Sequence, residues 1–170
     1  MKKVIVILFC ALSLFFTVGV AKGEVSGEAY VVSILPQMEI KRECLYTEEE
    51  MVMAEYIIQQ EVRGASIEHK RIIAQVILNR VKNDAFPDNV YDVLFQKGQF
   101  TSAQNYINKK YPPDEDTKRA VYEVFNGECE DLSKGALYFY APRWTAQKTS
   151  NWFENKLTFL FELEGHRFFK

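Results

Sequence analysis

Apolar positions change period partway along the chain, from helical spacing to the alternation of strands. Met51, Ala54 and Ile58, with Val52 and Ile57 beside them, form a stripe at helical spacing. Ahead of it, Thr47 and Glu50 have the form of a capping box, and Gly64 supplies a stop behind it. A second helix is expected after Ser66, through Ile72, Ile73, Val76, Ile77 and Val81, ending near Asn83. The turn between the two is short enough that they are expected to pack as a hairpin. Residues 86–100, FPDNVYDVLFQKGQF, read as a turn, a short helix capped by Asp88, and a loop at Gly98. A further helix starts at Asp114 or Asp116, turns Ala120, Val121, Val124 and Phe125 inward, and ends at Asn126-Gly127.

Beyond this point the pattern is extended. ALYFYAP at 136–142 reads as a strand, and LTFLFELEGHRFFK at 157–170 as a hairpin with Glu164-Gly165 at its turn. Helices first and strands last predict an α+β fold, a helical N-terminal part followed by a small antiparallel β-sheet near the C-terminus. Upstream, residues 22–45 lack a sustained period and read as a linker or arm, with a short strand suggested at 29–35. Residues 1–21 have a basic start, an apolar run from Val4 to Val20 and a small-residue Gly19-Val20-Ala21 site, the form of a cleaved signal peptide. A retained anchor is the alternative, since the run is at the low end of what spans a bilayer. The folded domain is then 46–170.

Composition narrows the class. With 170 residues, 48% of them hydrophobic and 26% charged, the chain suits one core. Its formal charge of −2 becomes −4 once Lys2 and Lys3 leave with the signal, so charge gives no reason to expect nucleic-acid binding. Cys44 and Cys129 remain after cleavage, either as a disulfide, which an exported protein allows, or as two buried thiols.

Glu61 is the residue this pattern leaves unexplained. It lies four residues after Ile57 and three after Ile58, so it continues the buried stripe of its helix. There, burial and the negative end of the helix dipole both disfavour the charged form. A carboxyl kept protonated near neutral pH can protonate a glycosidic oxygen. Pairing with Arg63 or capping of the Gly64 turn would account for it equally well.

The segments AEYIIQQEVRGAS (54–66), AQVILNRVKNDAFPDNVYDVLFQKGQFT (74–101), ALYFYAP and the terminal GHRFFK closely resemble the cell wall hydrolase family of spore cortex-lytic enzymes, of the SleB and CwlJ type. The resemblance spans about residues 47–170 and four motifs in order. It implies a lysozyme-like α+β fold and cleavage of peptidoglycan between N-acetylmuramic acid and N-acetylglucosamine, as in lytic transglycosylases. It makes Glu61 the catalytic residue and Gly98-Gln99-Phe100 a cleft loop, and it puts Tyr138 and Tyr140 on an aromatic strand beside the groove. Where the family often has a second acidic residue after Arg-Gly, this chain has Ala65.

The expected substrate-binding residues are Asn79, Gln99, Phe100, Tyr138, Tyr140 and Trp144. Strand alternation should put Tyr138 and Tyr140 on one face and Phe139 on the other. Asn79 and Arg80 have a structural alternative, fixing their helix against the Gln99 loop. A transglycosylase needs one carboxyl, whereas a muramidase-type hydrolase needs a second; Asp92, Glu154 and Glu162 are available. No metal or cofactor is called for, because His69 and His166 lack zinc-site spacing. A thiol peptidase using Cys44 or Cys129 with His166 lacks a nucleophile motif, and His166 reads as structural. The expected partners are peptidoglycan glycan strands, with a germination or sporulation protein as a further partner, the chain itself being a monomer. The expected location is secreted, or associated with wall or spore. A non-catalytic wall-binding or germination protein of the same fold is the remaining alternative.

Overall fold

The computed structural model describes residues 46–170. The signal, the arm and Cys44 lie outside the described residues. Helix α1 (Glu48–Glu61) begins with the expected capping box: the Glu50 backbone N–H donates to Thr47 Oγ1 at 3.2 Å and the Thr47 N–H to Glu50 Oε2 at 2.8 Å. It ends at Val62, and Gly64 turns the chain at φ 81°, where a side chain would be strained. Helix α2 (Ile67–Val81) starts on Ser66, whose hydroxyl accepts from the His69 N–H. Of the 15 residues of α2, 10 are buried, polar His69, Lys70, Gln75 and Arg80 among them.

Helices α3 (Val90–Phe95) and α4 (Ala103–Ile107) are short, and α5 (Glu115–Phe125) is capped by Asp114 and buries Ala120, Val121, Val124 and Phe125. Two expectations are corrected here. The α3 cap is Asn89, whose side-chain oxygen accepts from the Asp92 N–H at 2.8 Å, while Asp88 stands one residue too early. Helices α1 and α2 do touch, yet each packs more extensively on α5 than on the other.

The sheet has the order β1-β3-β2, antiparallel throughout, from β1 (Tyr138–Tyr140), β2 (Phe159–Leu163) and β3 (His166–Phe169). Glu164 and Gly165 form the hairpin turn at φ 47° and 78°, the pair of left-handed residues that a two-residue turn demands. Between β1 and β2 lie a 3₁₀ turn (Pro142–Trp144) and helix α6 (Gln147–Lys156), neither expected from sequence. Alternation gives the sheet two covered faces. Phe139 and Phe168 pack toward the helical core, with Phe139 and Phe100 centroids 6.1 Å apart. Tyr138, Tyr140 and Phe169 meet Trp152 and Phe153 of α6 on the other face.

A polar network ties the helices together. Lys70, 1% exposed, places Nζ 2.7 and 2.9 Å from the two Asp114 carboxylate oxygens. Asp114 also accepts from Gln59 Nε2 and from the Thr117 N–H and hydroxyl. Burial pushes the Asp114 carboxyl up, but the hydrogen bonds from Lys70, Thr117 and Gln59 outweigh it and hold the group well below the usual carboxylate range.

Removing Asp114 leaves a buried ammonium without its counter-charge and α5 without its cap. Asp114→Ala is expected to cost about 3 kcal/mol in denaturant unfolding. The double variant Lys70→Met with Asp114→Asn, which removes both charges and keeps a capping side chain, is expected to cost less than that single change.

Candidate active site

Glu61 is the last residue of α1, directly ahead of the turn to α2, and lies half-buried at the base of a cleft. Ser102, at the start of α4, is 4% exposed and donates its hydroxyl to Glu61 Oε1 at 2.5 Å. Burial pushes the Glu61 carboxyl up, against opposing pulls from the Ser102 hydrogen bonds and the positive charge of Arg80. The group thus retains its proton further toward neutral pH than an exposed glutamate does.

The cleft is a cavity of about 490 Å³ lined by Glu61, Arg80, Gln99, Tyr138, Trp144 and Phe153 among others. An adjoining cavity of about 550 Å³ is more polar, with Gln60, Arg63, His69, Glu164 and His166 in its walls. Trp144 is 78% exposed at the junction of the two, its ring 4.8 Å from the Arg143 guanidinium carbon, so an indole face is available for stacking.

The six expected binding residues fall into three groups. Gln99, Tyr138 and Trp144 line the cleft with Glu61. Tyr140 lines it too, although it is mostly buried and spends its hydroxyl on Glu154 Oε1 at 2.5 Å. Asn79 and Phe100 do not line it. Asn79 Nδ2 donates to Ser133 Oγ and to the Ala136 carbonyl, so the side chain fastens α2 to the loop ahead of β1. Phe100, 5% exposed, packs in the core against Phe139 and beneath Arg80. The expected alternation of Tyr138 and Tyr140 against Phe139 is present, but all three line part of the cleft.

Arg80 is the cation that the loop contacts organise. Its Nε donates to the Leu137 carbonyl at 2.7 Å, and its guanidinium lies 5.1 to 5.9 Å from the ring centroids of Phe86, Phe100 and Tyr138. Burial pushes it down to about 10, still cationic at neutral pH. Arg80 therefore anchors α2 to the chain entering β1 and reaches the Gln99 loop through Phe100.

None of Asp92, Glu154 and Glu162 is in the walls of the two cavities. Asp92 is engaged with Asn89, and Glu154 and Glu162 with Arg167. The second carboxylate in these walls is Glu164, which accepts from the Ser66 N–H and meets His69. Cys129 lines a separate cavity with Gln75 and Asn79, and burial pushes its thiol up, opposite to what a nucleophile needs. Arg80 and His166, given only structural roles by the sequence, line the cavities beside Glu61, and Ser102, given none, lines a third one with it. Each takes its place through contacts distant in sequence, and a serine or histidine alone carries no pattern signal.

Comparison with known proteins covers the same region. Residues 64–169 match the family described as Cell Wall Hydrolase, a match that begins three residues after Glu61. A spore cortex-lytic enzyme of Halalkalibacterium halodurans is 36% identical over 110 residues, 63% of this chain and 31% of that protein. That of Bacillus subtilis is 38% identical over 85 residues, 48% of this chain and 26% of that protein. The chain spans about a third of the length of the curated relatives it matches. Among solved structures, the catalytic domain of the germination-specific lytic transglycosylase SleB from Bacillus anthracis superposes with TM-score 0.63 at 28% identity, covering 74% of this chain and 97% of that one. The Bacillus cereus SleB catalytic domain gives 0.61 at 27%, covering 74% and 92%.

The raised Glu61 carboxyl has a consequence for stability. Below its ordinary value of 4.5 the group is protonated in both folded and unfolded chains, and its contribution is fully present. As pH rises the unfolded chain ionises first, so that contribution is lost up to and through the raised folded value. Glu61→Gln keeps an oxygen for Ser102 and cannot ionise. Its Tm is therefore expected to exceed that of the unsubstituted chain at about pH 7, with the difference closing toward about pH 4.

Proposed function

The chain belongs to the cell wall hydrolase family, and on that premise we propose that it is a peptidoglycan-cleaving glycosidase, most specifically a lytic transglycosylase with Glu61 as its acid and base. The observation that carries this reading is the half-buried Glu61 carboxyl, raised by desolvation, at the base of a cleft walled by Tyr138 and Trp144. The likeness to SleB catalytic domains supports it. The substrate is the glycan strand, cut between N-acetylmuramic acid and N-acetylglucosamine. The site of action is the wall or the spore cortex, reached through the signal at residues 1–21.

In the first step the Glu61 carboxyl protonates the bridging oxygen as the bond to the muramic C1 breaks, leaving a cationic centre that the neighbouring acetamido oxygen can stabilise. In the second, the 6-hydroxyl of the same sugar bonds to C1, and its proton passes to the Glu61 carboxylate. The 1,6-anhydro product leaves Glu61 protonated for the next turn. Ser102 suits both halves: its hydroxyl fixes the orientation of the carboxyl and partly offsets its desolvation when charged. Gln99 and the exposed indole of Trp144 would hold the sugars to either side.

Hydrolysis is the second reading. Glu164 in the adjoining wall favours it, since a water held by another carboxylate would give a reducing end instead. Its engagement with Ser66 and His69 favours the first.

Mass spectrometry of the products from purified cortex and vegetative peptidoglycan tests the proposal. Anhydromuramic ends are expected from the unsubstituted chain, with a rate loss of about 10²- to 10⁴-fold in Glu61→Gln. Reducing ends would replace the transglycosylase by the hydrolase, and undiminished cleavage by the variant would remove Glu61 from the mechanism.

A further inference from the structure

The two cavities beside Glu61 have three wall residues in common: Glu61, Trp144 and His166. A polymer cut at Glu61 must lie across that junction, with a sugar on each side of the broken bond. His166 opens the central strand β3 directly after the Glu164-Gly165 turn, which delivers its ring to the junction.

The ring is built in from behind. His69, 1% exposed on α2, has its ring centroid 4.8 Å from that of His166 in an edge-to-face arrangement, and Phe139 lies 6.0 Å away on β1. His69 Nδ1 is 3.3 Å from Glu164 Oε2, and the Ser66 N–H donates to the same oxygen at 3.1 Å. His166 Nδ1 is enclosed beside the turn and His69 Nε2 is buried against the same pair of rings, so the nitrogen that can reach a sugar is His166 Nε2. Among the described residues no set of three ligating side chains gathers here to hold a metal. Burial, and then the neighbouring His69, push the His166 imidazole down, toward the neutral form. A neutral imidazole carries one donor and one acceptor and suits the uncharged groups of a glycan. As a cation beside Glu61 it would favour the carboxylate and remove the proton that cleavage needs.

We propose that His166 is a substrate-contacting residue: its imidazole hydrogen-bonds a hydroxyl or acetamido group of a sugar at the bond on which Glu61 acts, with His69 and Glu164 packed behind it as support. This rests on the glycan-cleaving reading of Glu61.

The chain has two histidines, so ring nitrogen spectra resolve His166 against one other residue. The probe is a soluble tetrasaccharide of alternating N-acetylglucosamine and N-acetylmuramic acid, titrated into the Glu61→Gln protein while the histidine ring and tryptophan indole resonances are followed. The His166 ring resonances are expected to move with saturation further than those of His69. Introduced into that background, His166→Gln and His166→Phe are each expected to weaken binding about 3- to 10-fold, the range for one hydrogen bond. If the tetrasaccharide binds and shifts an indole while the His166 ring stays unmoved, or if a folded His166 variant binds as tightly as its parent, the proposal is overturned and the role of Glu61 stands. No binding at all, or undiminished cleavage by Glu61→Gln, would overturn the glycan-cleaving reading and the His166 contact together.

Discussion

An ammonium group enclosed by three helices must be neutralised where it stands, and at Lys70 that requirement organises much of the helical region. Its counter-charge, Asp114, is also the cap of α5, so one carboxylate starts a helix and stabilises a cation on its neighbour. Gln59 joins through Asp114 and Thr117, which brings the last turn of α1 into the same network. Glu61 follows two residues later. The network therefore holds the last turn of α1, the turn that carries the carboxyl to Ser102. Exchange of both charges for neutral groups could preserve stability, yet the acceptor geometry around Gln59 would have to be rebuilt another way.

Much of this architecture was legible locally. The Thr47 and Glu50 box, the Ser66 and Asp114 caps and the Glu164-Gly165 turn are short-range chemistry, each satisfied by atoms within a few residues, and each is present. Helix α6 was not legible because its sequence, QKTSNWFENK, has no apolar stripe and buries no residue fully. Its place comes from Trp152 and Phe153 resting on tyrosines of β1, a tertiary contact that propensity does not encode. The α3 cap was misplaced by one residue since Asp88 and Asn89 have equal standing as caps and only the backbone distinguishes them.

The candidate site divides along the same line. Glu61 stood out because a carboxylate interrupted an apolar stripe, a feature visible within one helix. Asn79 and Phe100 were expected in the cleft on the strength of their motifs, but packing turns one to the loop before β1 and the other into the core. The pairing of His69 with His166 joins the second helix to the last strand, and spacing in the sequence had argued the two histidines apart. The sheet register decides it, as the turn at Glu164 delivers one residue to His69 and the next but one to the cleft.

The strand order has a consequence for synthesis. Strand β3 lies between β1 and β2 although it follows both in sequence, and its residues complete both faces of the sheet as well as one wall of the cleft. A nascent chain can collapse its helices early, since their contacts are among the first to emerge. The sheet has no centre until residues 166–169 are available, when β3 can pair with β2 across the Glu164-Gly165 turn and with β1 on its other edge. Until β3 is in place, the Glu61 carboxyl stands beside a groove that lacks the wall His166 supplies.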